Sequence, residues 1–99
     1  MYELSCRYDS RNSFYGKAQV SEIRTSNYFK ASLYSYGTLV ATIEMFYDNL
    51  GEVEKTIYTY FGKYSQTTTR HQKEFFRQYG LSDSELKELW KNGTLEMEL

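Results

Sequence analysis

Between Phe14 and Phe61 the chain falls into four runs with strand-like patterning, each closed by small or turn-forming residues. "SFYGKAQVSEI" sets Phe14, Gly16, Ala18 and Val20 against Tyr15, Lys17, Gln19 and Ser21, the period of two that marks a half-buried strand. After Thr25-Ser26-Asn27, "NYFKASLYSY" places Phe29, Ala31 and Leu33 on one face and Tyr28, Lys30, Ser32, Tyr34 and Tyr36 on the other. Gly37 permits a tight reversal into "TLVATIEMFY", apolar on both sides through Leu39, Val40, Ala41, Ile43, Met45 and Phe46, as a strand with two neighbours should be. Asp48-Asn49-Leu50-Gly51 has the composition of a turn. "EVEKTIYTYF" follows, with Val53, Ile57 and Phe61 on one face and Tyr58 and Tyr60 on the opposite one. The pattern predicts a four-stranded antiparallel meander, with "YELSCRY" as a candidate fifth strand.

The last third switches to helical spacing. Thr69 with Gln72 fits a T-x-x-Q capping box, while Ser65 or Thr67 would start the helix one turn earlier, and Gly80 suits the position just past its end. Gln72, Phe76 and Tyr79 share a stripe with Phe75 alongside. In the next segment Ser82-Asp83-Ser84-Glu85 is a capping box, Leu86, Leu89 and Trp90 make an apolar face, and Asn92-Gly93 ends it. "TLEMEL" alternates again and is either an edge strand or unpaired. A sheet followed by two helices is an α+β arrangement of two layers, here expected as one domain over residues 1–99.

Composition sharpens one part of this picture. Aromatic residues make up 18% of the chain, with 11 tyrosines, 6 phenylalanines and 1 tryptophan, and proline is absent. If the helices cover the Phe29, Ala31, Leu33, Val53, Ile57 and Phe61 face, then Tyr28, Lys30, Tyr34, Tyr36, Tyr58 and Tyr60, with Lys17 and Gln19, are left on the open one. Tyrosines paired across strands stabilise a sheet without a partner, and the same rings also make a binding face.

The net charge of −1 gives no global case for nucleic acid or an anionic membrane. Locally, Arg70, Lys73 and Arg77 form a small basic helix face ahead of an acidic segment, a pattern that solvated helices commonly show. Cys6 is the only cysteine, so no intrachain disulfide is expected. The N-terminus has no secretory pattern and no run approaches the ~20 apolar residues of a membrane span. A cytoplasmic location follows as the expectation.

Candidate chemistry is sparse. Ser65, Thr67, Thr68 and Thr69 beside Arg70 exceed what capping uses, so an anion at this helix start is one reading. His71, four residues before Phe75, is more commonly a packed side chain than a ligand or base. One histidine and one cysteine do not make a zinc site, and no phosphate-binding loop or dinucleotide fingerprint occurs. Cys6 and His71 lack the surroundings of a nucleophile and its base. No cofactor, metal or catalytic residue is expected, and the protein is expected not to be an enzyme.

Two stretches together, "SYGTLVATI" and "YSQTTTRHQKEFFRQYG", resemble small uncharacterised proteins of phages, plasmids and other mobile elements that share a SY-x-T-x-VA strand and a YS-x-TT-x-RH helix start. Ser35, Tyr36, Thr38, Val40, Ala41, Tyr64, Ser65, Thr67, Thr68, Arg70 and His71 carry the resemblance, which spans roughly residues 35 to 80. It implies a lifestyle rather than an activity: a small protein in the host cell that occupies the surface of a host protein or defence complex, as anti-CRISPR inhibitors do. Lys30, Tyr34, Tyr36, Tyr58, Tyr60, Arg70 and His71 are the expected partner-binding residues. The alternative is single-stranded nucleic acid stacked on an aromatic sheet, and a sheet edge would also serve a homodimer.

Overall fold

The computed structural model describes residues 1–98. Its order is β1 (Tyr2–Glu3), β2 (Ala18–Arg24), β3 (Tyr28–Ser35), β4 (Thr38–Tyr47), β5 (Val53–Tyr60), α1 (Gln66–Gln78), α2 (Asp83–Asn92) and β6 (Thr94–Glu98). All the strands join one antiparallel sheet of six, in chain order from β1 to β6. The expected α+β class holds, with more strands than the four or five predicted. The chain after α2 supplies the additional edge, and "YELSCRY" contributes only two residues at the other edge.

The predicted faces of β3 hold. Phe29, Ala31, Leu33 and Ser35 are buried and alternate with half-buried Tyr28, Lys30, Ser32 and Tyr34. Register then carries the buried face across the sheet, through Val20 opposite Leu33, Leu33 opposite Ala41, and Ala31 opposite Ile43. Both helices lie on this side. Phe75, Phe76, Leu86 and Leu89 fill the space between layers, each side chain removed from water contributing on the order of 1.5–3 kcal/mol. Helix α1 lies over β3 and β4, and α2 over β5 and β6.

In β5 the expected faces are exchanged. Ile43 pairs with Tyr58 and Ala41 with Tyr60, so the two tyrosines point into the core side and Ile57 to the open side. Tyr58 is 5% exposed, meets Phe76 edge-on at 6.2 Å, and its hydroxyl donates to the Tyr79 carbonyl at 3.1 Å. Tyr60 packs on Trp90 at 4.3 Å. Both faces of this strand are hydrophobic enough to bury, and a slip of one residue exchanges them. The aromatic faces of α1 and α2 select the tyrosines. Phe61, placed in the core by the pattern, lies beyond the strand and is exposed.

Two other local readings change. The run from Phe14 to Lys17 is a turn rather than strand, closed by the Lys17 amide donating to Phe14 O at 3.0 Å, and β2 begins only at Ala18. The cap of α1 is Ser65, whose Oγ accepts from the Thr68 amide at 3.1 Å, in place of Thr69. The other helix signals hold as read. Gly80 (φ 94°) follows α1 with Leu81 N–H donating to Phe76 O, and Ser82 and Glu85 form the reciprocal capping box of α2.

Candidate functional site

Antiparallel pairing brings the start of β2, the end of β3, the start of β4, the end of β5 and the first turn of α1 to one end of the sheet. Two reversals there share a design. Ser35 and Thr38 pair across a two-residue loop whose central residues, Tyr36 (φ 51°) and Gly37 (φ 82°), are both left-handed, and Tyr15 (φ 54°) and Gly16 (φ 74°) repeat this between Phe14 and Lys17. These are type I′ turns, where asparagine is the usual first residue and a tyrosine pays a steric penalty of roughly 1 kcal/mol. The turns are tied together, since the Tyr36 amide donates to Lys17 O at 2.8 Å. The strained rings are the ones held out in solvent: Tyr15 is 76% and Tyr36 57% exposed. Leu39, Phe61 and Tyr64 add further exposed apolar surface at the same end.

Beneath Tyr36 lies a closed polar cluster. Ser35 Oγ is 2.8 Å from His71 Nδ1 and 2.9 Å from Thr68 Oγ1, linking β3 to α1. His71 is 1% exposed, stacked on Tyr36 at 5.8 Å and met edge-on by Phe14 at 4.5 Å, while its Nε2 has no hydrogen-bonding partner among the described residues. Burial holds its pKa below the ordinary 6.5, with Asp9 pulling the other way and Arg11 adding to the depression. Serine beside histidine resembles a nucleophile and base, yet Ser35 is as enclosed as His71, and no carboxylate accepts from the imidazole. Both side chains are closed off from solvent. What the cluster does is lock the helix start to the sheet under Tyr36.

Around this end stand cations from three separate segments. Arg11 from the loop before β2, Lys63 from the connection after β5 and Arg70 from α1 line a cavity of about 500 Å³ with Gln66, Thr67 and Thr69. A neighbouring cavity of about 420 Å³ is internally compensated, setting Arg70, Lys73 and Arg77 against Asp9 and Glu74. There Asp9 pairs with Arg70 at 3.4 Å, and buried Glu74 accepts from the amides of Tyr8 and Asp9, each at 2.8 Å.

The expected partner residues therefore divide. Tyr34 and Tyr36 converge with Lys17 and Gln19 on a shallow concavity of about 640 Å³ beside the turns. Lys30 stands in mid-sheet opposite Glu44. Arg70 is at the basic cavity. Tyr58 and Tyr60 belong to the core side and His71 to the buried cluster, so these three offer nothing to a partner on the open face. That face is mixed rather than aromatic, with Ser21, Ser32, Thr42, Thr59 and Thr94 in one row across it. The pattern reading missed Tyr15, Phe61, Tyr64, Arg11 and Lys63. For Tyr15 and Phe61 a signal exists, the aromatic-glycine dipeptide that recurs at residues 15–16, 36–37, 61–62 and 79–80, whereas Tyr64, Arg11 and Lys63 carry none.

A family model covers residues 2–92 of this chain, the family of unknown function DUF8033. The chain belongs to that family. No curated protein and no solved structure matches this DUF8033 member. Among the described residues no three His, Cys, Asp or Glu side chains are grouped to hold a metal ion, and no helix is long and apolar enough to cross a membrane.

Proposed function

We propose that this DUF8033 member is a non-catalytic binding protein of mobile-element origin, an inhibitor that works by occupying the surface of a host protein. The observation that carries the reading is the pair of Tyr-Gly turns: backbone strain is spent to hold two tyrosines in solvent where asparagine would close the same turns more comfortably. Rigid tyrosines contribute large contact area at small entropic cost, which is why they anchor protein interfaces. Base stacking on the sheet is less well supported than its sequence suggests, because Tyr58 and Tyr60 are withdrawn from the open face. The inhibitor's target, on this reading, meets the end of the sheet rather than its face.

Affinity capture from bacterial lysate, with and without nuclease, tests this. The expected result is a stoichiometric protein partner that survives nuclease and is lost from the Tyr15→Ser/Tyr64→Ser variant. Partners that disappear with nuclease, or that the variant retains in full, would overturn it.

A further inference from the structure

We propose that the cavity between Arg11, Lys63 and Arg70 receives a carboxylate from an acidic segment of the partner protein. This rests on the binding reading above and adds the partner's chemistry. The fold, not local sequence, assembles the site: the three cations come from positions 11, 63 and 70 and share one cavity of about 500 Å³ with no carboxylate in its lining. Of the other lining residues, Gln66 and Thr67 present side-chain hydrogen-bond donors, while the Thr69 hydroxyl already donates to Ser65 O. All three belong to the first turn of a 13-residue helix whose end carries partial positive charge. Asp9 offsets Arg70 from its other flank, but no carboxylate faces the three cations on the cavity side, so they repel one another there and an incoming anion relieves that repulsion.

The chain itself shows which anion suits this surface. On the neighbouring flank of Arg70 the carboxylate of Asp9 already occupies the guanidinium at 3.4 Å, and the amide of Arg11 donates to the same side chain at 2.9 Å. An acidic segment would repeat on the open flank what Asp9 does on the closed one. The charge distribution disfavours a long polyanion: Lys30 on the open face is opposed by Glu44, and at the far end of the sheet Asp48, Glu52, Glu54 and Glu98 outnumber Arg24 and Lys55. A phosphate chain leaving the cavity along the sheet would run onto acids, whereas a short acidic segment ends where the cations end. Phe61 and Tyr64, exposed on either side of Lys63 in the chain, would pack the apolar residues that flank such a segment.

The test is an amide-resolved NMR titration of the full chain with a capped octapeptide alternating aspartate and glutamate, beside its asparagine-glutamine counterpart and an oligothymidylate of equal length. Saturable shifts at Arg11, Lys63, Gln66 and Thr67 with the acidic peptide alone are expected. The Arg11→Glu/Lys63→Glu variant should weaken that binding at least about tenfold, while Lys87→Glu/Lys91→Glu on α2 leaves it within about twofold. All four positions are exposed, and an otherwise unchanged spectrum confirms the fold. Amides unmoved at millimolar peptide, equal shifts with the neutral peptide, or tighter binding of the oligothymidylate at the same residues would each overturn the proposal. A captured partner that binds the Arg11→Glu/Lys63→Glu variant fully but not the Tyr15→Ser/Tyr64→Ser variant overturns this inference alone and leaves the binding reading standing.

Discussion

Tyr15 and His71 are each costly to the fold, and for opposite reasons. Tyr15 holds a left-handed backbone in the open, with its ring exposed, so its cost is local and removable. Tyr15→Asn should raise stability by about 1 kcal/mol, read as a higher urea midpoint at unchanged slope, while weakening partner capture. His71 is buried beside Ser35 with one ring nitrogen unpaired, so its cost is desolvation. Its folded pKa lies below the 6.5 of the exposed group, and the unfolded chain therefore binds the extra proton first as pH falls. The stability due to neutral His71 is complete above 6.5 and is lost as pH drops through and below that value, by at most about 1.4 kcal/mol per pH unit. Urea denaturation of the wild type between pH 7.5 and 5 should show this decline, and His71→Asn, though less stable throughout, should flatten it.

At the scale of elements, end signals were legible where a residue type has one mechanical use. Ser82 with Glu85, and Gly80 and Gly93 in left-handed conformations, are found where the sequence puts them. The start of α1 was ambiguous because Ser65, Thr67 and Thr69 all cap well, and what chose among them is tertiary: Thr68 has to reach Ser35. Ser65→Ala should cost about 1 kcal/mol in thermal or chemical unfolding. Thr69→Ala, which loses only a hydroxyl donating to Ser65 O at 2.9 Å, should cost clearly less. The face of β3 was readable since Lys30 and Ser32 cannot be buried cheaply. That of β5 was not, since Ile57 and Tyr58 compete on nearly equal terms and the decision rests with Phe76 and Trp90, far along the chain. The same holds for the basic cavity. Arg11 and Lys63 lie in irregular segments with no period to reveal them, and only the folded chain makes them neighbours.

Taken whole, the molecule is polarised from end to end rather than from face to face. Aromatic turns and cations gather where α1 begins, and acids gather at the reversal between β4 and β5. The near-zero net charge conceals this, because opposite charges at two ends cancel in a sum but not in space. The strands, lying side by side in the order they are made, carry a further consequence for how the chain assembles. Each ladder from β1 to β5 joins neighbours in sequence, so little loop entropy is lost in forming it, and such low-contact-order pairing favours rapid folding. The ladder between β5 and β6 is different, for both helices intervene. Its closure spans the longest stretch of chain, so it is expected to form last, leaving until then an open edge on β5 with the rings of Tyr58 and Tyr60 beside it uncovered.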